Sequence, residues 1–175
     1  MADFDTLYAK YKDKIPFPVV KFAEKLGLKV FVTKNFPDKK SGEIKRKGNE
    51  YCVFINGNHS YERNRFTLAH EIAHFKLHKS ILDKESSITD FVGETSAIAL
   101  ARDKTQARDI QEIEADQLAA DMLMPEDEFI RVWNEKNTAM EVASVFAVSK
   151  AAAQIRAQTL RAKYTHARTS KKKAQ

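Results

Sequence analysis

RFTLAHEIAHFKLH, running from Arg65 to His78, is the stretch on which the reading of the whole chain turns. Its apolar residues Phe66, Leu68, Ala69, Ile72, Ala73 and Phe75 recur at helical spacing. On a helix, residues four apart lie one above the other, so His70 and His74 can offer two imidazoles to a single ion. Glu71 sits one step round, placed to take a proton from a water rather than to ligate. The order H-E-x-x-H therefore points to a metal that accepts imidazole nitrogen and carboxylate oxygen and keeps one position for water. Zinc, Zn2+, has those preferences.

A third protein ligand has to come from another element. QEIEADQLAADMLMP, from Gln111 to Pro125, reads as a second helix with Ala115, Leu118, Ala119 and Met122 on one face. Glu112 and Glu114 flank that face on opposite sides. Periodicity leaves both open as the carboxylate that completes a His, His, Glu set.

RFTLAHEIAH followed downstream by EADQLAADMLMP resembles the ImmA/IrrE family of zinc-dependent metallopeptidases, and the likeness extends over about Pro18 to Leu160. The resemblance implies a zincin-like body in which His70, His74 and Glu114, the glutamate directly before Ala115, hold zinc and Glu71 is the general base. It places Asp116, where the family often has Asn, in support behind the ligands. Leu118 stands where Phe is common and Met122 where Leu is common, and neither touches the proposed chemistry. The resemblance also implies a substrate: family members commonly cut a helix-turn-helix transcriptional repressor, relieving repression in mobile elements, stress responses or phage defence.

Ahead of the motif, Asp3 to Lys14 reads as a short helix ended by Pro16 and Pro18, and Val19 to Leu26 as another stopped by Gly27. Leu28 to Thr33 and Tyr51 to Ile55 are rich in β-branched and aromatic residues and read as strands. The polar stretch between them reads as a hairpin or loop with room for a short strand at Glu43 to Lys47. Beyond Asn58 the chain reads as helix. The expected fold is α+β: a small N-terminal sheet of two to three strands packed on a mainly helical zincin-like body. The expected divisions are a metallopeptidase core over 1–137, a helix-turn-helix-like segment over 138–164 and a basic tail over 165–175.

In the C-terminal segment, Thr138 to Leu160 carries apolar helix spacing broken at Ala147, Val148 and Ser149, with Ser149 suited to cap the next helix. A DNA reader would send that second helix into the major groove, and Lys150, Gln154, Arg156 and Gln158 form its candidate solvent face. This supports an alternative function, a DNA-binding regulator with a structural metal site, or a peptidase switched on by nucleic acid. Lys79 to Arg108 is long enough to be a cleft wall or lid. His78 continues the histidine row but drifts round the helix, which suits a helix-end role. His59, Tyr61 and Tyr51 are candidate oxyanion donors, and Cys52 is either a buried apolar residue or a thiolate that blocks the metal.

Composition bounds these readings. In 175 residues, 43% are apolar, enough for a sizeable core and against a disordered chain. No apolar run approaches a membrane span, and MADFDTLYAK is unlike a secretory signal. One cysteine excludes an internal disulfide, so a reducing cytoplasm is expected. The net charge of +6 divides into +5 over 1–50, −6 over 51–140 and +7 over 141–175. The basic ends are candidate docking surfaces for nucleic acid, and the acidic middle holds the expected metal site.

Overall fold

The computed structural model describes residues 3–85, 87–91 and 107–173. Helix α1 (Phe4–Tyr11) starts at Asp3, whose carboxylate accepts the Thr6 N–H at 3.0 Å. Helix α2 (Val19–Lys25) follows the proline pair and stops at Gly27, whose φ of 84° favours glycine. The two helices close on fully buried Phe22, with Phe4, Tyr11 and Phe17 ring centroids at 5.3, 6.0 and 5.1 Å from its own.

The sheet contains β1 (Leu28–Thr33), β2 (Lys40–Lys47), β3 (Glu50–Asn56) and β4 (Ser87–Phe91), in the order β1-β3-β2-β4. Strand β3 runs parallel to β1, with Leu28 opposite Tyr51, and antiparallel to β2, with Ile44 opposite Val53. The β2–β3 hairpin turns through Gly48 at φ 61°. The three N-terminal strands match the expected small sheet, but β2 begins at Lys40 rather than Glu43. Its sequence, KSGEIKRK, has one large apolar residue, the fully buried Ile44. Pairing on both edges, with β3 and with β4, makes a strand of residues with little intrinsic strand preference. Strand β4 was not legible in the sequence and falls within the expected cleft wall or lid. The remainder of that segment, 92–106, lies outside the described residues.

Helix α3 (Tyr61–Leu77) carries the motif across one sheet face, opened by Ser60, which accepts the Arg63 N–H at 3.3 Å. Leu68, Ile72, Ile44 and Val53 are fully buried between helix and sheet. Tyr51 faces this helix, its ring 4.9 Å from that of Phe75. Strand alternation therefore turns Cys52 and Phe54 to the opposite face.

Helix α4 (Lys79–Glu85) precedes β4, and α5 (Ala107–Leu123) then runs along α3 in the most extensive helix pairing of the fold. Helices α6 (Glu126–Glu135), α7 (Ala139–Phe146) and α8 (Lys150–Lys173) complete the body. Thr138 and Glu141 form a capping box at the start of α7, Ala147 takes a left-handed φ of 52° at its end, and Ser149 Oγ accepts the Ala152 N–H at 3.1 Å to open α8. This is a helix-turn-helix-like pair, closed on the body by Phe129 and Phe146 at 5.6 Å.

One residue of the expected solvent face of α8 is not on it. Arg156 is 3% exposed: its Nε donates to the Met124 carbonyl at 3.1 Å and its Nη1 pairs with Asp121 at 2.6 Å. From Lys150 to Arg156 the helix turns about 240° beyond one full turn, whereas Gln154 and Gln158 lie within about 80° of Lys150. Arg156 thus shares the inward side with buried Ala153 and Leu160. A second buried arginine, Arg65, donates to the Ala147 carbonyl at 3.0 Å and the Phe17 carbonyl at 2.8 Å, tying α3 to both ends of the chain. Among the described residues, no helix is long and apolar enough to cross a membrane.

Candidate metal centre

Packing of α3 on the sheet buries the motif: His70, Glu71 and His74 are 4%, 0% and 1% exposed. The Nε2 atoms of His70 and His74 stand 2.9 Å apart, as the helical repeat requires. Into the same space α5 brings Glu112, whose Oε2 is 3.2 Å from His70 Nε2 and 3.5 Å from His74 Nε2. One ligand atom from each of these three residues lies within 4.8 Å of the other two.

The carboxylate at this point is that of Glu112, whereas the resemblance selects Glu114. The Glu114 side chain is 55% exposed, with its carboxylate 3.8 Å from His78 Nε2. The reason is the angular position of the packed seam. Ala115, Ala119 and Met122 are fully buried, but Leu118 is only half-buried, so the true seam is narrower than the sequence suggests. Dropping Leu118 turns the face toward Glu112, which lies about 50° from the seam while Glu114 lies about 110° away.

Asp116, one turn along α5 from Glu112, accepts the His70 Nδ1–H at 2.9 Å. That bond fixes the tautomer and leaves the Nε2 lone pair directed at the shared point. Burial by itself would lower the pKa of His70, but hydrogen bonds to Asp116 and Glu112 outweigh it and raise the pKa well above its usual value. For His74 burial dominates and lowers the pKa, with Glu112 opposing and His70 reinforcing. Burial of Glu112 is outweighed by its bonds to His70 and His74, which hold its carboxyl below the usual range. Two imidazole nitrogens and one carboxylate oxygen at one buried point are the donor set of a three-ligand metal site, so the residues fit a divalent cation.

Glu71 lies where α3 crosses β2. An ideal Cβ on Gly42 would stand 3.0 Å from Glu71 Oε1 and 2.6 Å from Thr67 Cγ2. Gly42 is therefore part of the site, making room for Glu71 under the strand, although it lies in the polar stretch between Thr33 and Tyr51 that reads from sequence as a hairpin or loop. An isolated glycine within a strand is the available signal of close approach.

Other candidates are held elsewhere. His78 donates to the Gln111 carbonyl at 3.1 Å, a helix-end role joining α3 to the start of α5. His59 Nε2 donates to the Asp38 carbonyl at 3.0 Å, Tyr61 is 64% exposed over Arg65, and the Tyr51 hydroxyl bonds to Asp83 and Lys79. Cys52 is buried on the sheet face away from α3, which removes it as a blocking thiolate.

Residues 23–158 match the family described as peptidase M78, the IrrE N-terminal-like domain. Among solved structures, a Mycobacterium tuberculosis transcriptional regulator has a similar fold, with a TM-score of 0.56 at 16% identity over 86% of this chain and 44% of that one. The chain thus spans less than half of that regulator's length, and the likeness is one of fold. No curated protein matches the sequence.

Proposed function

The chain belongs to the IrrE N-terminal-like family of peptidases, and we propose that it is a zinc-dependent endopeptidase in which His70, His74 and Glu112 hold the metal and Glu71 is the general base. The observation that carries this reading is the convergence of both histidine Nε2 atoms and a Glu112 oxygen beside a fully buried glutamate. A structural metal site would have no use for that glutamate. Bound zinc supplies Lewis acidity toward the scissile carbonyl and toward an attacking water.

The remaining chemistry is that of the chain. Asp116 holds the His70 Nδ1–H and so keeps Nε2 aimed at the metal position. Glu71 takes a proton from the attacking water and delivers it to the leaving amine. Gly42 lets β2 pass over Glu71 without displacing it, and burial keeps bulk water from competing for the carboxylate.

The substrate we propose is a helix-turn-helix transcriptional repressor, cut to relieve repression. The likeness of the Arg65 and Glu114 sequence blocks to the ImmA/IrrE family supports it. A reducing cytoplasm as the site of action is supported by the lone, buried Cys52. Reading of DNA by α8 is weakened by Arg156, which is bound to Asp121 and Met124 and does not face a groove. The test is Glu71→Gln, which is expected to retain zinc by mass spectrometry and lose cleavage of the partner repressor. Retained cleavage would remove Glu71 from the base role.

A further inference from the structure

The face of the sheet turned away from α3 plays no part in the metal chemistry, and its composition is unlike an ordinary solvated face. Phe31 on β1 and Phe54 on β3 are register partners, stacked with centroids 5.2 Å apart and planes 19° from parallel. Strand β1 is an edge strand, so among the described residues no strand lies beyond Phe31, which is 45% exposed. The Lys47 Nζ stands 5.0 Å from the Phe54 ring on the β2 side, leaving Phe31 as the side of the stack open to a planar ligand.

Among the described residues, the same face and its margin carry Lys29, Lys40, Lys45 and Lys47, with Glu43 and Glu50 as the acids that pair with them. Glu43 is buried and bridges Lys40 at 2.7 Å and Lys45 at 2.8 Å, so that trio carries a net positive charge and is held in place. Lys29 and Glu50 pair at 2.6 Å, both more than half exposed, an arrangement that a competing anion can open. Four cations against two acids, with an open aromatic stack among them, match a chain of phosphates carrying flat bases.

We propose that this sheet face binds single-stranded nucleic acid, one base stacking on Phe31 and the neighbouring phosphates meeting Lys29, Lys45 and Lys47. Duplex DNA keeps its bases stacked internally and would engage the lysines alone, so the ring distinguishes the two. The proposal is independent of the metal site.

The test uses the full-length protein and fluorescence anisotropy with a labelled fifteen-nucleotide oligo-dT and a duplex of the same length. The single strand is expected to bind more tightly than the duplex. With about three phosphates neutralised, its affinity should fall about twentyfold between 50 and 200 mM salt. Phe31→Ser should weaken the single strand at least about fivefold, the lower end of the loss for one stacked base, and leave duplex binding unchanged. Phe31→Trp should restore or tighten binding, and Lys47→Glu should weaken both ligands and flatten the salt dependence. Phe31 is exposed, so circular dichroism should show each variant folded. Binding of Phe31→Ser within twofold of the parent, or duplex binding as tight as single strand, would overturn the proposal and place any nucleic-acid affinity in the basic C-terminal helix.

Discussion

Replacing Glu112 and Glu114 one at a time by alanine separates the geometry from the family pattern. Glu112 Oε2 lies 3.2 and 3.5 Å from the two imidazole nitrogens, while the Glu114 carboxylate is half-exposed and 3.8 Å from His78. Four-ligand zinc sites bind with about 10–16 kcal/mol, or about 2.5–4 kcal/mol for each ligand. Losing Glu112 should therefore weaken zinc about 10²–10³-fold, the equivalent of that range at 1.4 kcal/mol per tenfold. Glu114→Ala should stay within about threefold of the parent, since it removes at most a solvent-screened contact with His78. The assay is competition for zinc with a chromophoric chelator at pH 7.5, alongside circular dichroism to confirm that each variant is folded. Glu112→Gln, which keeps the shape and removes the charge, controls for loss of packing. A folded Glu114→Ala that loses zinc while Glu112→Ala keeps it would refute the assignment and the helix-seam argument with it.

Three further outcomes follow from the same contacts. The raised pKa of His70 means that zinc must displace a proton below that pKa, so affinity is fully developed above it and falls with acidification by up to about tenfold per pH unit; a zinc affinity flat from pH 8 to 6 would contradict this. Gly42→Ala should cost about 1–3 kcal/mol by overpacking and reduce kcat about 10–100-fold by displacing Glu71. Adding Thr67→Ala should recover the stability but not the rate, and recovery of both would show that Glu71 is indifferent to Gly42. Arg156→Met should lose about 3 kcal/mol of charged hydrogen bonding to Asp121 and Met124, lowering Tm by about 6–12 °C; an unchanged melting curve would return Arg156 to the solvent face.

Much of this protein is written locally. His70, Glu71 and His74 are legible because a helical repeat brings residues four apart together whatever the helix packs against. The caps at Ser60, Thr138 and Ser149, the stop at Gly27 and the strands at Leu28–Thr33 and Glu50–Asn56 are likewise short-range properties. Three features needed the tertiary structure. Strand β4 and the extension of β2 back from Glu43 to Lys40 are made by their neighbours, because ladder hydrogen bonding on both sides of β2 overrides weak local preference. Arg156 reads as a solvent-facing cation until Asp121 and the Met124 carbonyl meet it from another helix. The choice of Glu112 over Glu114 depends on how far α5 is rotated against α3, and that rotation is set by which apolar side chains interlock. The sequence by itself determined the helix that presents His70, Glu71 and His74 together, since one helix contains them. The carboxylate beside the two imidazoles belongs to a second helix, and only packing between the two decided that it is that of Glu112.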